Sequence, residues 1–354
     1  MASSIPTYKN VLICGGSGFI GSNFIRYFYN KYPACKIFNL DLLTYAGNIE
    51  NLSDIEHLEA GRDSFVRRYQ FIRGDICDSK LLSDIFEKHK FDLVVNFAAE
   101  SHVDRSLVNA FDFVRTNIEG VRSLIEATRK YQTERFVQIS TDEIYGSVTD
   151  GFSTEDAPLR PSNPYAASKA GADLLVQAYI RTHKVSAVIV RGSNNFGPYQ
   201  YPEKLIPLAI SNIIEGERIP VHGSGLHIRS WLHVDDFCSA IDLIAHKAAD
   251  YGVYNVSGEQ KTNLQILELL APHFKGGIEY HKEHINDRPG ADIRYAPDSD
   301  KLKNDLGWRP KHSLEDSIAK VVQWYADNQD WWRKIKSKKE FLDHYSKQSK
   351  AEYY

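Results

Sequence analysis

Residues 10–24 read NVLICGGSGFIGSNF, and few folds accommodate such a run. A short apolar, β-rich stretch ends in a loop carrying Gly15, Gly18 and Gly21 at GxxGxxG spacing, and residues at helical spacing follow at once. Glycine at these points lets the backbone turn sharply and approach a pyrophosphate seated on the helix N-terminus. Asp41 closes the next β-rich run, KIFNLD, 20 positions after Gly21. A carboxylate there accepts hydrogen bonds from adenosine ribose hydroxyls and repels a 2′-phosphate, so the expected cofactor is NAD rather than NADP. Asp75 and Ile76, after a third run (YQFIRGDI), are candidate adenine contacts.

The alternation continues through FDLVVNFAA, RFVQIST and SAVIVRGSN, with helical segments such as VRSLIEATRKY between them. Strands alternating with helices predict an α/β fold, a Rossmann-type doubly wound parallel sheet covered on both faces. The second half changes character. GPYQYPEKLIP and EGERIPVHGSG break the alternation, YGVYNVSG reads as one more strand, and TNLQILELLAPHF and SLEDSIAKVVQWYADN are helical by spacing. The expected division is an NAD-binding domain over 1–193, to which 231–258 return, and a smaller mixed lobe that binds substrate, from 194–230 and 259–354. The last residues, HYSKQSKAEYY, read as a loosely held tail.

Composition narrows the function classes. The formal net charge is −3, and the one short basic run, WWRKIKSKKE, reads as a solvated helix face, so neither nucleic acid nor a membrane is an expected partner. The N-terminal MASSIPTYKN lacks a signal-peptide core, and no run approaches a membrane span. Four scattered cysteines, Cys14, Cys35, Cys77 and Cys238, form no CxxC pair and read as reduced residues of a cytoplasmic protein. No metal site is expected.

Two constellations carry chemistry. In VQISTDEIYG a stretch that reads as a buried strand gives way to Thr141, Asp142 and Glu143. In a doubly wound sheet the carboxyl end of a strand faces the ligand crevice, and neighbouring carboxylates in a dry place repel, so that one holds its proton near neutral pH. In NPYAASKAGADLLVQAY, Tyr165 and Lys169 stand four residues apart and share one helix face. A lysine ammonium beside the phenol is expected to lower its pKa and make Tyr165 a base toward a sugar hydroxyl, with Ser140 or Thr141 completing the hydrogen bonds around the substrate oxygen.

Together these pieces resemble the extended short-chain dehydrogenase/reductase family. Within it the chain is most similar to the nucleoside-diphosphate-sugar 4,6-dehydratases, those of dTDP-glucose first. The likeness covers nearly the whole chain: GGSGFIGSNF, LDLLTYAGN, NFAAESHVDRS, STDEIYG, NPYAASKA, SNNFGPYQYPEKLIPL, WLHVDD, YNVSG, NDRPGADIRYA and LGWRP. STDEIYG is the most diagnostic, because related epimerases and decarboxylases generally lack its Asp-Glu pair. The resemblance implies that Tyr165, with Lys169 and Thr141, oxidises the sugar at C4 while NAD takes the hydride. Glu143 then removes the C5 proton, protonated Asp142 serves the departing C6 hydroxyl, and the hydride returns to C6. It further implies a cofactor site of Gly15, Gly18, Phe19, Ile20, Gly21, Asp41, Thr44, Asp75, Ile76, Ala98, Ala99, Ser101, Thr116, Tyr165, Lys169 and Asn195. The implied substrate contacts are Ser101, His102, Thr141, Asn194, Lys204, Leu205, Pro220, His222, Arg229, Asn263, Arg288 and Asp292. Arg229 and Arg288 have a physical case of their own, since a guanidinium fork suits phosphate oxygens. A homodimer through helices near ATRKY and AGADLLVQAYIRTH is implied as well.

The chain departs from that family at His222, where an aromatic usually packs on the base, at Ser230, usually an acid, and at Ala291, usually histidine. All three fall in nucleotide-binding segments and none among the catalytic residues. A 4,6- or 5,6-dehydratase of UDP-N-acetylglucosamine or UDP-glucose is therefore an alternative, as is inversion at C5. A sugar-nucleotide 4-epimerase needs the same loop and tyrosine but not the acid pair. A non-catalytic NAD sensor would need none of Asp142, Glu143, Tyr165 and Lys169.

Overall fold

The computed structural model describes residues 8–63 and 66–350. The N-terminal stretch read above for a targeting signal therefore lies largely outside the described residues, as do the last four residues of the expected tail. Among the described residues the strands are β1 (Asn10–Cys14), β2 (Lys36–Asp41), β3 (Tyr69–Arg73), β4 (Leu93–Asn96), β5 (Arg135–Thr141), β6 (Ala187–Gly192), β7 (Asn194–Phe196), β8 (Ile219–His222), β9 (Ile228–His233), β10 (Val253–Val256), β11 (Glu259–Thr262) and β12 (Lys282–Ile285). Seven of them form one sheet in the order β10-β6-β5-β4-β1-β2-β3, and every pairing in it is parallel. This is the doubly wound arrangement that the alternation predicts.

Both faces of the sheet are covered, which explains why its strands are apolar almost without a break. Successive side chains of β1 point to opposite faces. Val11 and Ile13 join Phe24, Ile25 and Phe28 of the helix Phe19–Lys31 and Phe237 and Ile241 of the helix Val234–Lys247. Leu12 and Cys14 join Leu82 and Phe86 from one helix, Leu124 from another, and Ala172 and Val176 of the helix Pro164–His183. The strand order reverses between β1 and β4, so the chain ends leaving those two strands diverge and open a crevice above the sheet.

The smaller lobe has its own core. Phe196, Ile206, Ile210, Val221 and Trp231 pack with Ile266, Leu270, Ile318, Tyr325 and Trp332. Two short sheets frame it: β11-β9-β7, in which β9 and β11 are antiparallel, and the parallel pair β12-β8. The chain crosses between lobes more often than the sequence suggests. Residues 231–233 belong to β9 of the small sheet, whereas 234–247 and β10 pack on the large one. Leu302 and Trp308, within the span assigned to the small lobe, also enter the core of the large sheet.

Two expectations are corrected here. Residues 344–348 are not a loose tail: they complete the helix Lys339–Gln348, in which Phe341 and Gln348 are buried. The basic run is solvated only in part. Lys334 and Lys336 pair at the surface with Glu50 and Glu215, but Trp331, Trp332 and Ile335 of the same helix are buried. The basic residues interleave with an inward stripe at helical spacing, Trp331, Trp332 and Ile335.

Candidate active site

The cleft begins at the glycine loop. Gly15 has φ +74, and a Cβ there would meet the backbone nitrogen of Ala98 at 2.5 Å; a Cβ on Gly21 would meet the Gly15 carbonyl at 2.2 Å. Any larger residue would push the loop off the end of β4 or away from its own helix. Gly18, by contrast, meets nothing closer than 3.4 Å, so the loop's outer edge is open to a ligand. Asp41, at the tip of β2, accepts hydrogen bonds from the Ser17 amide (2.9 Å) and the Leu43 amide (2.8 Å) and faces the same cleft. Asp75 also lines it, while accepting from the Cys77 amide (2.8 Å) and pairing with Arg115 (2.5 Å).

These features fit a dinucleotide: a glycine cradle at a helix N-terminus and a carboxylate at the ribose position. Every residue expected at the cofactor lines this one cleft, from Gly15, Gly18, Phe19, Ile20 and Gly21 through Asp41, Thr44, Asp75 and Ile76 to Ala98, Ala99, Ser101, Thr116, Tyr165, Lys169 and Asn195.

The chemical end lies where β5 stops. Thr141 is both its last residue and the N-cap of a single turn, Asp142–Tyr145, accepting from the Glu143 amide at 3.3 Å. That turn places the two acids differently. Asp142 is 2% exposed, and burial first and the Glu143 charge second push its carboxyl up to about 8. Glu143 is also raised by burial, but it is partly open and stands 3.3 Å from the hydroxyl of Tyr295. Arg229 draws both acids back toward ionisation.

Tyr165 and Lys169 come from the helix Pro164–His183. Asn163 caps it by accepting from the Ala166 amide (2.8 Å), with Pro164 in the first turn. Arg191 of β6 fastens the helix to the sheet through Asp173 (2.8 Å) and donates onward to Tyr145 and the Glu155 carbonyl. The expected effect of Lys169 on the phenol is not what this arrangement gives. Lys169 donates to the Ile139 carbonyl (2.7 Å), and burial brings it down to about 8. Tyr165 is raised by burial and then by Glu143, with the Thr141 hydroxyl pulling the other way.

The expected substrate residues divide. Ser101, Thr141, Asn194 and Lys204 line the cleft. His102, Leu205, Pro220, His222, Arg229, Asn263, Arg288 and Asp292 lie outside that lining. Of these, Arg229 lies over the Tyr295 ring at 4.1 Å and donates to the Asp292 carbonyl (2.8 Å), and Asp292 accepts from the Tyr295 hydroxyl (2.8 Å). Arg288 pairs with Asp104 (2.9 Å). Burial and then Arg288 depress the His222 imidazole to about 3, so it is neutral at any physiological pH. Pro220 and His222 lie in β8; Leu205 and Asn263 open helices of the small lobe.

Sequence reasoning missed Glu203 and Tyr295. Glu203 had a signal, an acid directly before Lys204 in YPEKLIPL, whose other residues are apolar or aromatic. Tyr295 had none, since only the fold brings it to Glu143, 152 positions away.

The profile described as GDP-mannose 4,6 dehydratase matches residues 12–321. A dTDP-glucose 4,6-dehydratase of Streptomyces niveus is 44% identical, over 92% of this chain and 96% of that protein. Among solved structures, dTDP-glucose 4,6-dehydratase from Bacillus anthracis in complex with NAD superposes with a TM-score of 0.84 at 41% identity, covering 92% of this chain and 99% of the other. DesIV, the dTDP-glucose 4,6-dehydratase of Streptomyces venezuelae with NAD and TYD bound, gives 0.85 at 40% with the same coverage. A UDP-glucose 4-epimerase from Thermotoga maritima, with UDP-glucose, shares the fold at 0.80 but only 26% identity, over 90% of this chain and 99% of that one.

Proposed function

The chain belongs to the GDP-mannose 4,6 dehydratase family, and from that premise we propose that it removes water from a nucleoside-diphosphate hexose, dTDP-glucose first, to give the 4-keto-6-deoxy sugar. It is an NAD-dependent sugar-nucleotide 4,6-dehydratase; relatives with epimerase activity are more distant. The observation that carries the reading is the unequal pair at the end of β5: one carboxyl that keeps its proton to about pH 8, and a second open to the cleft.

The glycine loop, Asp41, Tyr165 and Lys169 would hold NAD, which would supply the hydride acceptor and later the donor. Tyr165 takes the proton of the C4 hydroxyl, with Thr141 in the same hydrogen-bonded chain. The C4 ketone acidifies the adjacent C–H, and Glu143 removes the C5 proton. Asp142 gives its proton to the C6 hydroxyl, which leaves as water; Glu143 then returns the proton to C5 as the hydride would be given back at C6, which leaves the 4-keto-6-deoxy sugar. Opposite protonation states on neighbouring acids are what elimination across two adjacent carbons requires. Arg229 and Lys204, which act electrostatically on Glu143, keep it available as the base.

We place Lys204, Arg229 and Arg288 toward the diphosphate, and read the protein as a cytoplasmic homodimer. Supporting the dimer, Leu174 on the Tyr165 helix is 58% exposed and Phe111 is 70% exposed. No helix of the described residues is long and apolar enough to cross a membrane. His222, a smaller and more polar ring than the aromatic usual there, keeps UDP sugars as the second reading of the nucleotide. Incubation with dTDP-glucose, UDP-glucose and UDP-N-acetylglucosamine decides. A 4-keto product absorbing in alkali is expected from the first; C4 inversion without loss of water would overturn the assignment.

A further inference from the structure

Glu203 is a poorly satisfied buried charge in the lining of the cleft. It is 2% exposed, and neither carboxylate oxygen makes a hydrogen bond of normal length. Its neighbours stand just beyond reach: Arg105 Nη2 at 3.6 Å, His102 Nε2 at 3.7 Å and His344 Nε2 at 3.8 Å. A buried carboxylate with such loose partners is costly to keep ionised, and burial does raise Glu203, to about 7.

Two of those neighbours come from the segment 102–105. The third comes from the C-terminal helix Lys339–Gln348, which lies beyond the residues matched by the family profile. That helix reaches the same place three more times. Gln348 donates to the Glu203 carbonyl (3.4 Å), Glu340 pairs with Arg105 (3.4 Å), and the His344 and His102 rings meet edge to face at 4.6 Å. Glu203 in turn precedes Lys204, which lines the cleft and caps the helix Leu205–Glu215.

We propose that the C-terminal helix is a working part of the substrate site, in which His344, acting through Glu203, is a positioning residue that holds Lys204 toward the anionic half of the substrate. The inference rests on the reading of Lys204 as a contact of the nucleotide sugar. His102, Glu203 and His344 also have the spacing of a metal site, with ligand atoms within 4.8 Å of one another. The surroundings argue against a cation. Arg105, Lys204 and Arg288 all act on His102 and His344, Lys347 acts on His344 as well, and Asp104, Glu203 and Glu340 stand against these four cations. A divalent ion would add charge where positive charge is already in surplus.

The test replaces His344→Leu and His344→Gln in the full chain. The leucine variant is expected to raise KM for the nucleotide sugar about tenfold, because an apolar group in place of the imidazole 3.8 Å away leaves the buried Glu203 less compensated and freer to draw on Lys204. Its kcat should stay within about threefold, and binding of the bare nucleoside diphosphate by calorimetry should weaken in step with KM. His344→Gln keeps a donor near the Nε2 position and should restore most of the loss. NAD content and melting temperature check the fold. Gln348→Leu, at the outer end of the helix, should move KM in the same direction if His344→Leu folds poorly. The proposal is overturned if neither leucine variant alters KM or diphosphate binding, if glutamine and leucine at 344 are equally impaired, or if the purified protein carries one equivalent of zinc that His344→Leu loses. Diphosphate calorimetry needs no turnover, so failure of the dehydratase assignment would be told apart from failure of this one.

Discussion

Asp142 and Glu143 are consecutive in the chain but occupy different electrostatic positions. The first is 2% exposed with Oδ2 lacking a hydrogen-bond partner among the described residues; the second opens to the cleft and stands 3.3 Å from Tyr295. One turn of chain, capped by Thr141, creates that difference. It begins a separation of acid from base that Arg229, Lys204 and Tyr295, all remote in the chain, complete.

Removing the base should abolish turnover and spare the cofactor. Glu143→Gln keeps the shape of the side chain, so NAD content after purification should match the parent while kcat falls about 10²- to 10⁴-fold. Turnover within a few-fold of the parent would remove Glu143 from the mechanism.

Asp142 ties activity to stability through pH. Its carboxyl titrates near 3.8 when exposed and near 8 in the folded protein. The folded state therefore binds the proton more tightly, and stability falls as pH rises between those two values. Asp142→Asn removes the penalty. It should melt above the parent at alkaline pH, with the difference shrinking as pH is lowered toward about 5, and should turn over slowly at every pH. In the parent, kcat should decline as pH rises through about 8, as Asp142 loses the proton it donates. Melting curves and a kcat profile across that range check both.

Asp41 should set the cofactor. Asp41→Ala loses a charged acceptor at the ribose and also frees the Ser17 and Leu43 amides, so NAD affinity should drop about 10- to 100-fold. With the repelling carboxylate gone, NADP should bind relatively better. Cofactor extracted from the variant and titrated back reports the ratio; an unchanged preference would place the discrimination elsewhere.

The pair Asp173–Arg191 holds the catalytic helix to the sheet and is buried on both sides, at 0% and 2% side-chain exposure. Asp173→Ala strands the guanidinium, and a cost of about 3–5 kcal/mol is expected in denaturant unfolding. Lys169, whose ammonium Asp173 supports, should then lose its charge at lower pH. A loss under 1 kcal/mol, about the value of an exposed pair, would mean that water reaches the site.

Much of this was legible before any coordinates. The bounds of β2 and β5 coincide with KIFNLD and RFVQIST, because a strand covered on both faces must be apolar until the turn that ends it. The C-terminal helix was not legible. HYSKQSKAEYY is polar, and what keeps its helical part in place is a buried Phe341 and contacts to residues more than a hundred positions earlier. The partner of the Lys169 ammonium was not legible for a related reason. Four-residue spacing puts two side chains on one face, but it does not say that a carbonyl of β5 will claim the ammonium.

By itself the sequence determined the glycine loop, the alternation that makes a parallel sheet, and the chemical types at the end of β5, because those depend on local sterics and on patterns of a few residues. Only the tertiary structure decided which acid keeps its proton, where Lys169 spends its hydrogen bond, and that His344 and Tyr295 stand beside residues remote in the chain. Desolvation and charge coupling depend on what the whole fold packs around a group, and no short stretch of sequence contains that.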